Sequence, residues 1–112
     1  MASPINVTGS LASGAQISDW VILNRYGPTA YFFSVVLGGT GTYTIEGTNA
    51  RLNRGDSAVA FSVDDASNVP IEAQTATKFW HLDDLPLEAV RLNVSASNDA
   101  VTFHVTQQGG SG

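Results

Sequence analysis

The sequence predicts an all-β protein that folds as a two-sheet antiparallel sandwich with a jelly-roll-like arrangement. Three observations support this fold class. Apolar and polar residues alternate with a period of two along most of the chain, whereas helical periodicity is hard to find. Clusters of Gly, Pro, Asn and Ser separate about eight short segments of this kind. An immunoglobulin-like sandwich is the alternative, but the Cys–Trp–Cys spacing of true immunoglobulin domains is absent.

The first 16 residues are small and polar, and they predict an extended N-terminal arm with at most a short strand at residues 5–7. The sandwich domain is predicted over residues 17–107 and a flexible C-terminal tail over residues 108–112. Within the domain, "ISDWVILNRY" predicts the first strand, and Gly27-Pro28 is a strong turn signal. The short segment "QQGGSG" at the C-terminus has no means of folding alone.

The segment "AYFFSVVL" predicts a central strand that is covered on both faces, because neither face is polar. The glycine-rich "GGTG" interrupts it and predicts a hairpin turn. The next segment, "TYTIEGT", alternates cleanly and places Tyr43 and Ile45 on one face.

The second half of the domain predicts four further features. In "SAVAFSV", a strand presents Val59, Phe61 and Val63 on one face. Pro70 limits "VPIEAQ" to an edge or an irregular segment, and "TKFWHLDDLPLEA" predicts a long connection anchored by aromatic side chains. The alternating segments "VRLNVSAS" and "VTFHVTQ" then predict a terminal hairpin that completes one sheet.

Composition narrows the possible partners. The chain of 112 residues suits one domain, and its charged fraction of 13% lies well below the ~25% usual for globular domains. Because the centres of interfaces are depleted in charge, a surface much of which is covered by partners is one interpretation, and a weakly charged soluble domain is the other. The net charge is −5 without any basic cluster, which argues against direct binding to nucleic acid.

Targeting to or across a membrane is not expected. The start "MASPINVTGSLASG" has neither the basic residues nor the apolar run of a secretory signal. The longest apolar stretch is interrupted by Ser34 and Gly38, so it is too short to span a bilayer.

No catalytic, cofactor or metal site is predicted, and we expect no enzymatic activity. Absence of cysteine excludes thiolate ligands and cysteine nucleophiles. His81 lies beside Asp83 and Asp84, which favours an acidic surface loop over a metal site that lacks further ligands. The other histidine, His104, is predicted to be an ordinary surface or interface residue on the polar side of the last strand.

Three segments of the chain resemble a known protein family as a set. These are "ISDWVILNRYGPTAYFFSVVLGGTGTYTIEGT", "FWHLDDL" and "LEAVRLNVSASNDAVTFHVTQ". Together they cover roughly residues 17 to 107 and are similar to small β-sandwich proteins encoded beside the major capsid protein of tailed bacteriophages. The connection "DDLPLEA" is shorter than in those proteins.

The resemblance implies a jelly-roll-like head decoration, or cement, protein on the outer surface of the virion. Its implied partners are a major capsid protein of the HK97-type fold and neighbouring copies of the chain itself. Many weak contacts become strong when each copy touches several subunits. The interface is expected to include the following arm, arginine and tyrosine residues: Ile5, Val7, Arg25, Tyr26, Arg51 and Arg54.

A carbohydrate- or receptor-binding sandwich of a phage tail or cell surface is the alternative function. It requires two or three exposed aromatic residues in a planar or concave row. The available side chains are Trp20, Tyr26, Tyr31, Tyr43 and Trp80, and most of them alternate into the predicted core.

Overall fold

A computed structural model describes residues 5–23, 31–50, 52, 55, 57, 59–65, 67, 69–82 and 87–107. Nine β-strands lie within these residues, and every pairing between them is antiparallel. They are β1 (Ile5–Leu11), β2 (Gln16–Ile17), β3 (Val21–Ile22), β4 (Tyr31–Leu37), β5 (Gly41–Thr48), β6 (Phe61–Ser62), β7 (Lys78–His81), β8 (Ala89–Ser97) and β9 (Val101–Gln107).

The strands form a jelly roll, which confirms the predicted fold class. In the described part of the chain, the first strand pairs with the last, β2 and β3 pair with β8, β4 with β7, and β5 with β6. This is the pairing of one long folded hairpin. Rolling it up brings β9 beside β4 and β8 beside β5, which produces a four-stranded sheet (β1-β9-β4-β7) and a five-stranded sheet (β2-β8-β5-β6, with β3 also on β8).

The predicted terminal hairpin is wrong, because β8 and β9 lie in different sheets. The turn at residues 98–100 carries the chain from one sheet to the other, and the turn at residues 38–40 does the same between β4 and β5. The two turns bind each other: Gly38 N–H donates to the Ala100 carbonyl (3.0 Å), and Asn98 N–H donates to the Thr40 carbonyl (3.0 Å). Alternation predicts which face a residue occupies, but it does not identify the partner strand.

Replacing Asn98 by alanine tests this double turn. The Asn98 Oδ1 accepts the Thr40 N–H at 2.8 Å, so Asn98→Ala removes one of the bonds between the turns. We expect the free energy of unfolding in urea to fall by about 0.5–1.5 kcal/mol. Asn98→Asp keeps an acceptor oxygen and is expected to retain most of the stability, and equal stability of Asn98→Ala and the wild type would contradict the contact.

Of the N-terminal arm predicted over residues 1–16, the structure describes residues 5–16. Residues 5–11 form strand β1, which pairs with β9 along its whole length, and Gln16–Ile17 pair with β8. The short strand predicted at residues 5–7 lies within β1, but its continuation through Thr8, Gly9 and Ser10 was not predicted because these residues are small and polar. Glycine is required at position 9, since a Cβ there would come within 2.5 Å of the buried Phe103 ring. The predicted C-terminal tail, residues 108–112, lies outside the described residues.

Two other segments differ from expectation. Lys78–His81, predicted as part of a connection, is a strand at the edge of the four-stranded sheet. Among the described residues of "SAVAFSV", Phe61–Ser62 form a strand, and Val59 is 76% exposed. The residues after β6 instead supply irregular backbone bonds to β5, such as Ile45 N–H to the Ile71 carbonyl (3.1 Å). The irregular character predicted for the segment around Pro70 is confirmed.

The core lies between the two sheets and contains the apolar residues that alternate inward on β4, β5, β8 and β9. A hydrogen bond crosses it. Trp80 Nε1–H on β7 donates to the Tyr43 hydroxyl on β5 at 2.9 Å, and that hydroxyl donates to the Ala76 carbonyl at 2.7 Å. Both rings are buried, so this pair links the sheets through groups that water does not reach.

Candidate interaction surface

The outer side of the four-stranded sheet carries no Asp, Glu, Lys or Arg on its four strands. We call this side the uncharged face. It follows from the alternation of each strand, because the intervening residues, which include the exposed Lys78 of β7, lie on the other side of the sheet. Its residues are Asn6, Thr8 and Ser10 of β1, Thr102, His104 and Thr106 of β9, Phe32, Ser34 and Val36 of β4, and Phe79 and His81 of β7.

Aromatic side chains lie at one end of the uncharged face. The Phe32 ring stacks against Phe79, with the ring centroids 5.3 Å apart, and against His81, with the centroids 4.9 Å apart. Phe79 is nevertheless 63% exposed, and Val36 on the same side of β4 is 51% exposed. Isolated exposed apolar residues are ordinary, but a contiguous group of them marks a site of interaction.

The prediction that β4 is central is confirmed, since it lies between β9 and β7. Among the described residues, its outer face is not covered by another layer. Tyr31, Phe33 and Val35 are fully buried, whereas on the outer side Phe32 and Ser34 are partly exposed and Val36 is 51% exposed. The second apolar side of this strand is therefore available to a partner.

The outer side of the five-stranded sheet is different in charge. Arg91 Nε and Glu46 Oε1 form a salt bridge at 2.8 Å, and Asn93 Nδ2 donates to the other carboxylate oxygen at 3.3 Å. The Arg91 guanidinium also lies 4.4 Å from the centroid of the Trp20 ring. Because such charged, solvated groups are costly to desolvate, the uncharged face is the better candidate for a partner.

An open groove borders the uncharged face. It has a volume of about 610 Å³ and lies between β1 and the segment 17–22, where the edges of the two sheets diverge. Ile5 and Val7, two of the predicted interface residues, line it, and Phe103 contributes to its floor. Val7 is on the inward side of β1 yet is 38% exposed, because no strand of the described chain covers this edge.

The other four predicted interface residues, Arg25, Tyr26, Arg51 and Arg54, lie outside the described residues. The residues of the uncharged face were not predicted as a site. The signal for them was present in "AYFFSVVL", whose polar-side positions are occupied by Phe32 and Val36. The other strands of the face are distant in sequence, so their juxtaposition had no sequence signal.

His104 and Asp65 make hydrogen bonds within the fold. His104 is partly exposed and its Nε2 hydrogen-bonds with the Asn6 side chain of the adjacent strand. Asp65 Oδ1 accepts the backbone N–H groups of Ser67 (2.8 Å) and Val69 (3.1 Å), which orders its own loop. Asp83 and Asp84 lie outside the described residues, and among those described no three potential ligands gather into a metal site.

The aromatic residues considered for sugar binding do not form an exposed row where they are described. Tyr31, Tyr43 and Trp80 are buried, and Trp20 carries Arg91 over its ring. The fifth, Tyr26, lies outside the described residues. The described chain also contains no helix long and apolar enough to cross a membrane.

Comparison with known proteins shows the fold. No family model matches the chain, and neither does any curated protein. Among solved structures it is similar to the SPBc2 prophage-derived protein YomS, with a TM-score of 0.61 and 10% identity over 95% of each chain. A chain from the disulfide-linked pili of Bacillus endospore appendages aligns over 99% of this chain and 92% of its own, at 14% identity. Its TM-score of 0.44 is too low to support an argument. The similarity to YomS shows that the two chains share an overall fold.

Proposed function

We propose that this protein is a non-enzymatic structural protein of a phage virion, and specifically a capsid decoration protein. The observation that carries the proposal is the uncharged face, which offers a partly apolar surface across four strands. The occurrence of the same fold in a prophage-derived protein supports a phage context. Fold likeness alone does not determine function, so the proposal depends on the chemistry of this face.

The proposed partner is the major capsid protein, of the HK97-type fold, on the outside of the head. Binding there clamps neighbouring capsid subunits against internal pressure. Burying Phe79 and Val36 stabilises the contact by about 25 cal/mol for each Å² of apolar surface removed from water. The threonine and serine hydroxyls around them pair with polar groups at far lower desolvation cost than charged side chains.

Co-sedimentation tests the function directly. Purified protein is mixed with emptied heads of the phage that encodes it, prepared without this protein, and the shells are then heated. We expect saturable binding at a fixed number of copies per shell and a higher temperature of shell rupture. Failure to bind such shells would refute the decoration function, and screening of glycans against the protein would then test the alternative function.

A pair of valine variants tests which surface binds. Val36→Lys introduces a charge into the uncharged face, opposite Thr102 of β9, and we expect its affinity for shells to fall by about tenfold or more, as for a residue that carries much of the binding energy. Val59→Lys is the matched control, because Val59 is even more exposed but lies outside this face. Equal binding by the two variants, with unfolding unchanged in both, would exclude the uncharged face as the contact.

A further inference from the structure

Strand β1 is an edge strand, and no described strand pairs with its outer edge. Its seven residues contain no charge, and their register with β9 is continuous from Ile5 to Leu11 without a bulge. The other edge strands of the described chain are shorter: β7 has four residues and includes a lysine, and β2, β3 and β6 have two each. Natural sheets usually block long edges with charges, prolines, bulges or a covering segment, because free N–H and C=O groups pair with other chains.

We propose that β1 pairs antiparallel with β1 of a second copy of this chain, about a two-fold axis at Thr8. The sequence of the strand, "INVTGSL", is self-complementary in this register. Each apolar residue lies opposite an apolar residue or glycine, and each polar residue lies opposite a polar one. The pairs are Ile5 with Leu11, Asn6 with Ser10, Val7 with Gly9, and Thr8 with Thr8.

The groove beside β1 supports a strand as the occupant. Val7 is oriented toward the core but remains 38% exposed, so the apolar interior is incompletely covered at this edge. In the proposed register Gly9 of the second copy lies opposite Val7, where a larger side chain would compete for the same space. The added strand continues the sheet and covers this opening.

Electrostatics favours this edge for pairing two identical chains. Each copy carries a net charge of −5, so two copies repel each other wherever carboxylates approach. Strand β1 contains no carboxylate, and neither does β9, the strand to which it is hydrogen-bonded. Like charges directly opposite each other in a sheet are destabilising, and none arises between the two β1 strands in this arrangement.

Pairing doubles the uncharged face. Directly opposite residues of an antiparallel pair lie on the same side of the sheet, so the outer sides of both copies join into one eight-stranded surface. Two linked contacts bind a repeating surface more tightly than one. The pairing itself does not rest on the decoration function, and it is tested in solution without capsid shells.

Cysteine cross-linking is the first test, and the absence of native cysteine makes it unambiguous. Side chains directly opposite each other have Cβ atoms about 4.5–5.5 Å apart, near the range that a disulfide spans. We expect Thr8→Cys to form a disulfide-linked dimer rapidly on mild oxidation. Thr102→Cys is the matched control: it is an exposed threonine on the same face, but β9 has neighbours on both sides.

Charge exchange is the second test, measured by analytical ultracentrifugation over a range of concentrations. The wild type is expected to form dimers, and Thr8→Lys or Thr8→Glu alone to weaken dimerisation by about fivefold or more. An equimolar mixture of the two variants is expected to restore it, because the opposite charges then meet at the axis.

The two tests distinguish pairing through β1 from a monomer and from a dimer that uses another surface. Selective cross-linking through Thr8→Cys together with charge rescue establishes the pairing. A wild type that stays monomeric, with Thr8→Cys cross-linking no faster than Thr102→Cys, overturns it. A dimer that is insensitive to Thr8→Lys also overturns it, because that dimer uses another surface. If the wild-type protein forms this dimer but does not bind capsid shells, the decoration function is refuted and the pairing is not.

Discussion

Replacing Phe33 by alanine is expected to lower the free energy of unfolding by about 3–5 kcal/mol. Phe33 is fully buried at the centre of β4, where it pairs with Trp80 on one side and Val105 on the other. Its ring stacks on Phe103, with the centroids 5.8 Å apart. Alanine therefore removes a large apolar group and leaves a cavity that rigid neighbouring strands cannot fill. Urea unfolding measures the change.

Phe79→Ala is the matched control for Phe33→Ala. Phe79 lies on the adjacent strand of the same sheet but on its outer side, and it is 63% exposed. Its stacking on Phe32 is worth only about 0.5–1.5 kcal/mol, so we expect a loss of stability near or below 1 kcal/mol. For binding to capsid shells we expect the opposite order: Phe79→Ala weakens the affinity more than Phe33→Ala does. Equal destabilisation by both substitutions would contradict the assignment of inner and outer sides.

Tyr43→Phe is expected to cost about 1–3 kcal/mol, which is the range for leaving a buried polar group without its partner. The substitution removes only the hydroxyl, which accepts from Trp80 Nε1–H at 2.9 Å and donates to the Ala76 carbonyl at 2.7 Å. The Trp80 side chain is buried and has no water to replace this acceptor, whereas the exposed Ala76 has solvent nearby. Urea unfolding at neutral pH measures the loss.

The same substitution has a characteristic pH dependence. Burial raises the pKa of the Tyr43 hydroxyl above its ordinary value of 10.0, while the hydrogen bond from Trp80 acts in the lowering direction. Above pH 10.0 the unfolded chain releases this proton before the folded protein does, so wild-type stability falls as pH rises toward the folded-state pKa. Well below pH 10.0 the Tyr43 hydroxyl is protonated in both the folded and the unfolded state, so it does not make the free energy of unfolding depend on pH.

We therefore expect the stability difference between wild type and Tyr43→Phe to be constant at neutral pH and to shrink above pH 10.0. The other tyrosines are present in both proteins, so their titration cancels in the comparison. A difference that stays constant through the alkaline range would contradict the burial of this hydroxyl.

The fold class was predictable because it depends on local alternation. In the segments "VRLNVSAS" and "VTFHVTQ", alternation places Val90, Leu92, Val94 and Ala96 on one side of the first and Val101, Phe103 and Val105 on one side of the second. The structure buries all of these residues except Ala96, which is exposed beside the register shift between Thr42 and Tyr43. Period-two patterning decides the side of a strand on which each residue lies, and that information is contained within seven or eight consecutive residues.

Strand partners were not predictable in the same way. Two alternating segments joined by a short turn are compatible with a hairpin and with a crossing between sheets. The choice here follows from the bonds between two turns 60 residues apart, at Gly38–Ala100 and Thr40–Asn98. The full length of β1 was not predictable for a related reason: beyond the predicted residues 5–7, its small residues are held by pairing with β9 and by the Phe103 ring beneath Gly9, neither of which is local.

The sequence by itself determined the all-β class, the inward-facing residues of the long strands, the low charge and the lack of cysteine. Only the tertiary structure decided that the outer residues of β1, β9, β4 and β7 lie side by side, and that β1 is left as an open edge. The physical reason is that a face of a sheet is assembled from strands far apart in the chain. Its chemistry therefore depends on register and strand order, which no local pattern specifies.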